Sequence, residues 1–138
     1  MTADHKTALH NRVTDVNRAI GSFPFSVPEF DSVIIGKTFV RLQIHREYRG
    51  TEWNEYRRLA DLAASFSVPV RIEKANHSTR KQICVEFERL GVKFKAIFDI
   101  ATPAARTLAK AMSCKLTSDS LTVNAAEFRA AVDALESA

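Results

Sequence analysis

The stretch ICVEFERLGVKFKAIFDI, residues 83–100, reads as two strands folded back on each other. A turn centred on Leu90 and Gly91 sets Phe87 opposite Phe94 and Val85 opposite Ala96 on one face. The same register sets Glu88 opposite Lys93 and Glu86 opposite Lys95 on the other face. Aromatic and opposite-charge pairs stabilise an antiparallel ladder, and a slip of one residue would lose all of them together. The hairpin thus has one apolar face for a core and one charged face. Its four paired charges serve the register and are set aside as ligand contacts.

Upstream, residues 37–46 alternate, with Val40, Leu42 and Ile44 on one side and Arg41, Gln43 and His45 on the other. That is the period of a half-buried strand. Gly50 and Thr51 then open a helix over residues 51–66, with Glu52 and Glu55 in its first turn, where acid suits the dipole. Tyr56, Leu59, Leu62, Ala63 and Phe66 share one arc of that helix, with Arg57, Arg58 and Asp61 opposite. Pro69 turns Val68 away from helical angles, and Val68, Val70 and Ile72 form a strand over residues 68–74.

The flanks read as helices. Leu9, Val13, Val16 and Ile20 form a narrow apolar stripe on an N-terminal helix within residues 1–22, closed by Gly21. Between it and the first strand, Pro24 and Pro28 mark an ordered crossing whose Phe23, Phe25 and Phe30 fill core gaps. After the hairpin, Thr102 is read as a helix N-cap with Pro103 behind it, and Leu108 and Met112 mark the inner side. A short strand is expected within residues 116–123. The last helix starts at Asn124, where Glu127 completes a capping box and Val123 with Phe128 a hydrophobic staple.

The expected architecture is α+β and a single domain over residues 1–138. A β-α-β-β-β core over residues 37–100 forms a mixed sheet of about four strands. Helices cover one face, with the C-terminal pair in residues 102–137. A length of 138 residues, 46% hydrophobic, suits one self-sufficient core. No apolar run is long enough for a secretory signal or a membrane span, so no membrane partner and a cytoplasmic location are expected. Cys84 and Cys114 fit that expectation as free thiols. A second copy of the chain is a candidate partner, through the narrow N-terminal stripe or a sheet edge.

The functional signal is the placement of charge. Residues 37–95 hold 13 Lys and Arg against seven Asp and Glu, while each flank has one acid in excess. A helix between strands 38–46 and 68–74 carries the chain back, so the two strands run the same way and end at one edge. Loops from that edge carry Arg46, Arg49, His77, Arg80 and Lys81, beside the free N–H groups of the helix that begins at Thr51. This is the arrangement of an anion site. Arg41, His45 and Arg71 extend it on the outer face, and Tyr48 or Trp53 offers a ring for stacking. Against that reading, loops are polar by default, and Glu47 and Glu52 sit in the same stretch.

Catalytic and cofactor motifs are missing. The four glycines, Gly21, Gly36, Gly50 and Gly91, are too far apart to cradle a phosphate, and HExxH, GxSxG and CxxC do not occur. His45, His77 and Cys84 match no metal-site spacing, so neither metal nor cofactor is expected. A cation–π contact between Trp53 and Arg57, four apart on one helix, is expected within the fold. The expectation is a binding module, leaning away from catalysis, that contacts nucleic acid or another polyanion through the loop edge. The alternatives are a protein-binding inhibitor or adaptor, and a small nucleotide binder or enzyme at the same edge.

Overall fold

In the computed structural model, the residues described are 3–24, 32–44, 53–74, 80–113 and 121–138. They form α1 (Ala3–Gly21), β1 (Ser32–Ile35), β2 (Val40–Gln43), α2 (Trp53–Ser65), β3 (Val70–Lys74) and β4 (Lys81–Arg89). Then follow β5 (Val92–Ile100), α3 (Thr102–Ala111), β6 (Leu121–Val123) and α4 (Ala125–Glu136). One six-stranded mixed sheet has the order β1-β2-β5-β4-β3-β6. The fold is α+β, with six strands where four were expected.

The hairpin register is the one its side chains favour: Phe87 faces Phe94, Val85 faces Ala96, Glu86 faces Lys95 and Glu88 faces Lys93. β2 runs parallel to β5, while β4 is antiparallel to both β5 and β3. β2, β5 and β3 therefore point the same way, although β5 and β4 lie between the other two. The short strand expected within residues 116–123 is β6, which closes the sheet beyond β3.

The additional strand is β1. The sequence reading has an ordered crossing and no strand before residue 37, yet Ser32–Ile35 pairs antiparallel with β2 along its length. Gly36 begins the turn between them, and a Cβ there would stand 2.7 Å from the carbonyl oxygen of Phe39. The Gly36 N–H donates to that same oxygen at 3.0 Å, so the turn needs glycine.

The core lies between the sheet and its helices. Val40, Leu42, Ile72, Ile83, Val85, Phe94 and Phe98 supply the sheet side. Leu59, Leu62, Leu108, Phe128 and Val132 come from α2, α3 and α4. Tyr56 meets Phe98 and Phe128 edge-to-face, at ring separations of 5.8 and 6.2 Å. Phe23 plugs a gap as expected, edge-to-face with Phe94 at 5.0 Å, whereas Phe25 and Phe30 lie outside the described residues.

Three local readings change. Gly21 does end α1, but Gly91 is the glycine with positive φ among the described residues. The N–H and Oγ of Ser22 both donate to the Ala19 carbonyl, so Ser22 closes the helix instead. Ala101, not Thr102, occupies the cap position of α3. Arg57 does not sit on Trp53; its guanidinium pairs with Asp133, at 3.1 Å, and with Glu136 of α4. Asn124 caps α4 as read, its Oδ1 accepting from the Glu127 N–H at 2.8 Å. No helix among the described residues is long and apolar enough to cross a membrane.

Candidate functional site

The strand directions bring one edge of the sheet together. β2 ends there at Gln43, β3 at Lys74 and β5 at Ile100, and β4 starts there at Lys81. α2 and α3 start from the same edge, at Trp53 and Thr102. The contribution of β5 and α3 was not read from the sequence, because the parallel pairing of β2 with β5 joins segments far apart in the chain.

Of the predicted site residues, Arg46, Arg49, His77, His45 and Tyr48 lie outside the described residues. Arg80 and Lys81 are at the edge, Arg80 exposed and Lys81 half-buried. Lys81 stands directly opposite Lys74 in the β3–β4 register. Like charges facing each other across an antiparallel pair repel, at a cost of a few tenths of a kcal/mol. Neither lysine makes an ion pair with the described residues. Lys74 was not singled out from the sequence, because its pairing with Lys81 depends on a register that the six intervening residues do not reveal.

Arg71 and Arg41 occupy the sheet face turned away from the helices, and they differ. Arg71 is held by Glu73 at 3.3 Å and Glu86 at 3.8 Å. Arg41 is exposed and makes no ion pair with the described residues. Trp53 is half-buried, its ring edge-to-face with Tyr56 at 5.9 Å, and it packs against the core.

Glu73 organises this face. Its Oε1 accepts from Lys95 Nζ at 2.7 Å and from Gln82 Nε2 at 2.8 Å. Burial pushes the Glu73 carboxyl up, but the hydrogen bonds from Lys95 and Gln82 and the lysine charge outweigh it and hold it below 4.5. Lys95 is the mirror image: burial lowers it, and the bond to Glu73 outweighs that and raises it. Cys84 points to this face, as the alternation implied, but it is fully buried. Burial, then the charge of Glu73, pushes its thiol up to about 12, so it is a poor nucleophile.

Beside the Glu73–Lys95 pair is a hollow of about 200 Å³ bordered by Arg41, Gln43, Gln82 and Asp99. Its charges are mixed and mostly exposed. No group of three His, Cys, Asp or Glu with metal-binding geometry occurs among the described residues. What the arrangement can do chemically is attract an anion at the Lys74–Lys81–Arg80 corner. Comparison with protein-family models, curated proteins and solved structures finds no match for this chain.

Proposed function

We propose that the chain is a non-catalytic module that binds an anionic partner, a nucleic-acid backbone or another polyanion, where β3 ends and β4 begins. The observation that carries this reading is Lys74 directly opposite Lys81, with Arg80 next in the chain. A fold gains nothing internally from two facing lysines, whereas a phosphate set between them relieves the repulsion and takes charge-assisted hydrogen bonds from both. The excess of cations in residues 37–95 supports a partner of opposite sign.

Fluorescence polarisation with labelled single-stranded DNA and RNA 20-mers, and heparin as competitor, tests the proposal. Binding at about 50 mM salt should weaken steeply by 200 mM, as counterion release requires. Lys74→Ala with Lys81→Ala should cost roughly tenfold in affinity and flatten the salt slope by about 1.4 to 1.8. The double variant should remain at least as stable as the parent, since it removes a repulsive pair. Undetectable binding at 50 mM salt, or a double variant that binds as the parent does, defeats the reading.

A further inference from the structure

The hollow on the outer face of the sheet has a chemistry of its own, beyond the Lys74–Lys81 corner that adjoins it. Three cations and two acids border it: Arg41, Lys74 and Lys95 against Glu73 and Asp99. Glu73 and Lys95 hold each other at 2.7 Å, so their charges cancel within the fold. Arg41, Lys74 and Asp99 are left, all exposed and none in an ion pair with the described residues.

The sheet holds these three charges apart. Arg41 stands opposite Lys95 in the β2–β5 register, and Asp99 lies four residues further along β5. At about 3.3 Å per residue, their backbones are about 13 Å apart. Lys74 comes from the end of β3, and both β5 and β4 lie between it and Arg41. Two cations entering from opposite ends suit a molecule with an anionic group at each end better than one compact phosphate.

The middle of the hollow asks for a different group. Gln43 and Gln82 turn their amide nitrogens to the fold, donating to the Ile44 carbonyl at 3.3 Å and to Glu73 at 2.8 Å. Their carbonyl oxygens are the ends left for a ligand, and Gln82 stands directly opposite Asp99. A carboxylate and two carbonyls are acceptors, which suit an ammonium group with its three N–H donors. Between Lys95 and Asp99, Ile97 is only 5% exposed and gives the hollow an apolar floor.

We propose that this hollow binds an acidic amino acid, a small molecule with two carboxylates and one ammonium group. The carboxylates meet Arg41 and Lys74, the ammonium donates to Asp99 and the glutamine carbonyls, and the carbon chain lies over Ile97. The ligand's single net negative charge matches the one cation in excess among the bordering residues. The volume, about 200 Å³, is below the roughly 300 Å³ at which pockets for drug-sized molecules begin, as a ligand this small requires.

The test is an NMR titration of the intact, nitrogen-15-labelled chain at low salt with L-glutamate and L-aspartate, each to about 10 mM. Glutarate, which lacks the ammonium, L-glutamine, which lacks the second carboxylate, and inorganic phosphate are the controls. The tighter of the two acidic amino acids should bind at least tenfold better than any control and shift the amides of Gln43, Gln82 and Ile97. Asp99→Asn, an exposed change, should weaken the amino acid roughly tenfold and strengthen glutarate, an opposite pair of effects that a merely structural role would not produce. Arg41→Gln should weaken the amino acid and glutarate alike. No binding of either amino acid at 10 mM overturns the proposal, and so does glutarate or phosphate binding as tightly as they do. Binding that Asp99→Asn leaves unchanged overturns it as well. Nucleic-acid binding by the Asp99→Asn variant should match the parent, which separates this outcome from that at the Lys74–Lys81 corner.

Discussion

Glu73 shows how much one residue can rearrange a reading of charge. From the sequence, Glu86 and Lys95 are cross-strand partners, and Arg71 is a spare cation. In the fold, Lys95 reaches across β4 to Glu73 at 2.7 Å, closer than its 3.7 Å to Glu86, and Arg71 joins the same carboxylate. That was not legible because Glu73 and Lys95 sit on strands separated by another, and a sequence does not print strand order. The pH consequence has a definite sign. The Glu73 carboxyl is held below 4.5, so the folded chain resists a proton that the unfolded chain accepts. Its stabilisation is present above the ordinary carboxylate value and is lost as pH falls through the lowered one. Lys95, raised, contributes fully below its ordinary value of 10.5 and is lost only as pH rises past the raised one. Glu73→Gln should cost about 1–2 kcal/mol at pH 7. It should also flatten the fall in Tm below pH 4.5. Calorimetry across that range checks it, and an acid limb as steep as the parent's would mean other carboxylates set it.

At the scale of elements, legibility followed how much each strand buries. The β4–β5 hairpin was readable to the residue, because Phe87, Phe94 and two charge pairs agree on a single register. β1 was not, because alternation appears in a sequence only where one face is buried, and Val33, Ile34 and Ile35 are exposed on both. The α4 cap was readable since Asn124 and Glu127 bond within one turn, needing nothing from elsewhere. The hairpin also carries a strained residue. Leu90 has φ 50° and Gly91 φ 79°, the left-handed pair that a two-residue turn requires. Glycine accepts that geometry, but leucine pays about 1 kcal/mol for it. Leu90 is 59% exposed, so little packing offsets the strain. Leu90→Asn, the residue such turns prefer, should stabilise the chain by about 0.5–1 kcal/mol. Urea denaturation should show a higher midpoint at unchanged slope. A lower midpoint would show that the leucine makes a contact the turn depends on.

For the whole molecule, much of the positive charge in residues 37–95 is taken up inside the fold. Arg57, Arg71 and Lys95 are absorbed by acids of α4, β3 and β4, and Arg89 donates to Ser22. Lys37, Arg41, Lys74 and Lys81 make no ion pair with the described residues, and Arg41 and Lys74 border the same hollow on the sheet. The second half of α1 ties it to the sheet, with Arg12 donating to the Gly36 carbonyl at 3.2 Å. α1 is 19 residues long, yet residues 4–11 are all exposed. Its anchorage is at the other end: Val16 and Ala19 are buried, and Phe23 meets Phe66, Phe87 and Phe94 at 5.9, 5.6 and 5.0 Å. Arg89 clamps the exit, its Nε donating to Ser22 Oγ at 2.9 Å and its Nη2 to the Ser22 carbonyl at 3.1 Å. A helical stretch as short as residues 4–11 is marginal in water without packing, so stability in α1 must decay toward its N-terminus. Removing residues 1–10 should therefore change the unfolding free energy by less than about 1 kcal/mol. Phe23→Ala, which empties the centre of an aromatic cluster, should cost about 3–4 kcal/mol. Hydrogen exchange should show the same gradient, with amides before Arg12 open and those of Val16 to Ile20 protected nearly to the global limit. A truncation costing more than about 2 kcal/mol would mean that the first half of the helix also has a docking surface on the domain.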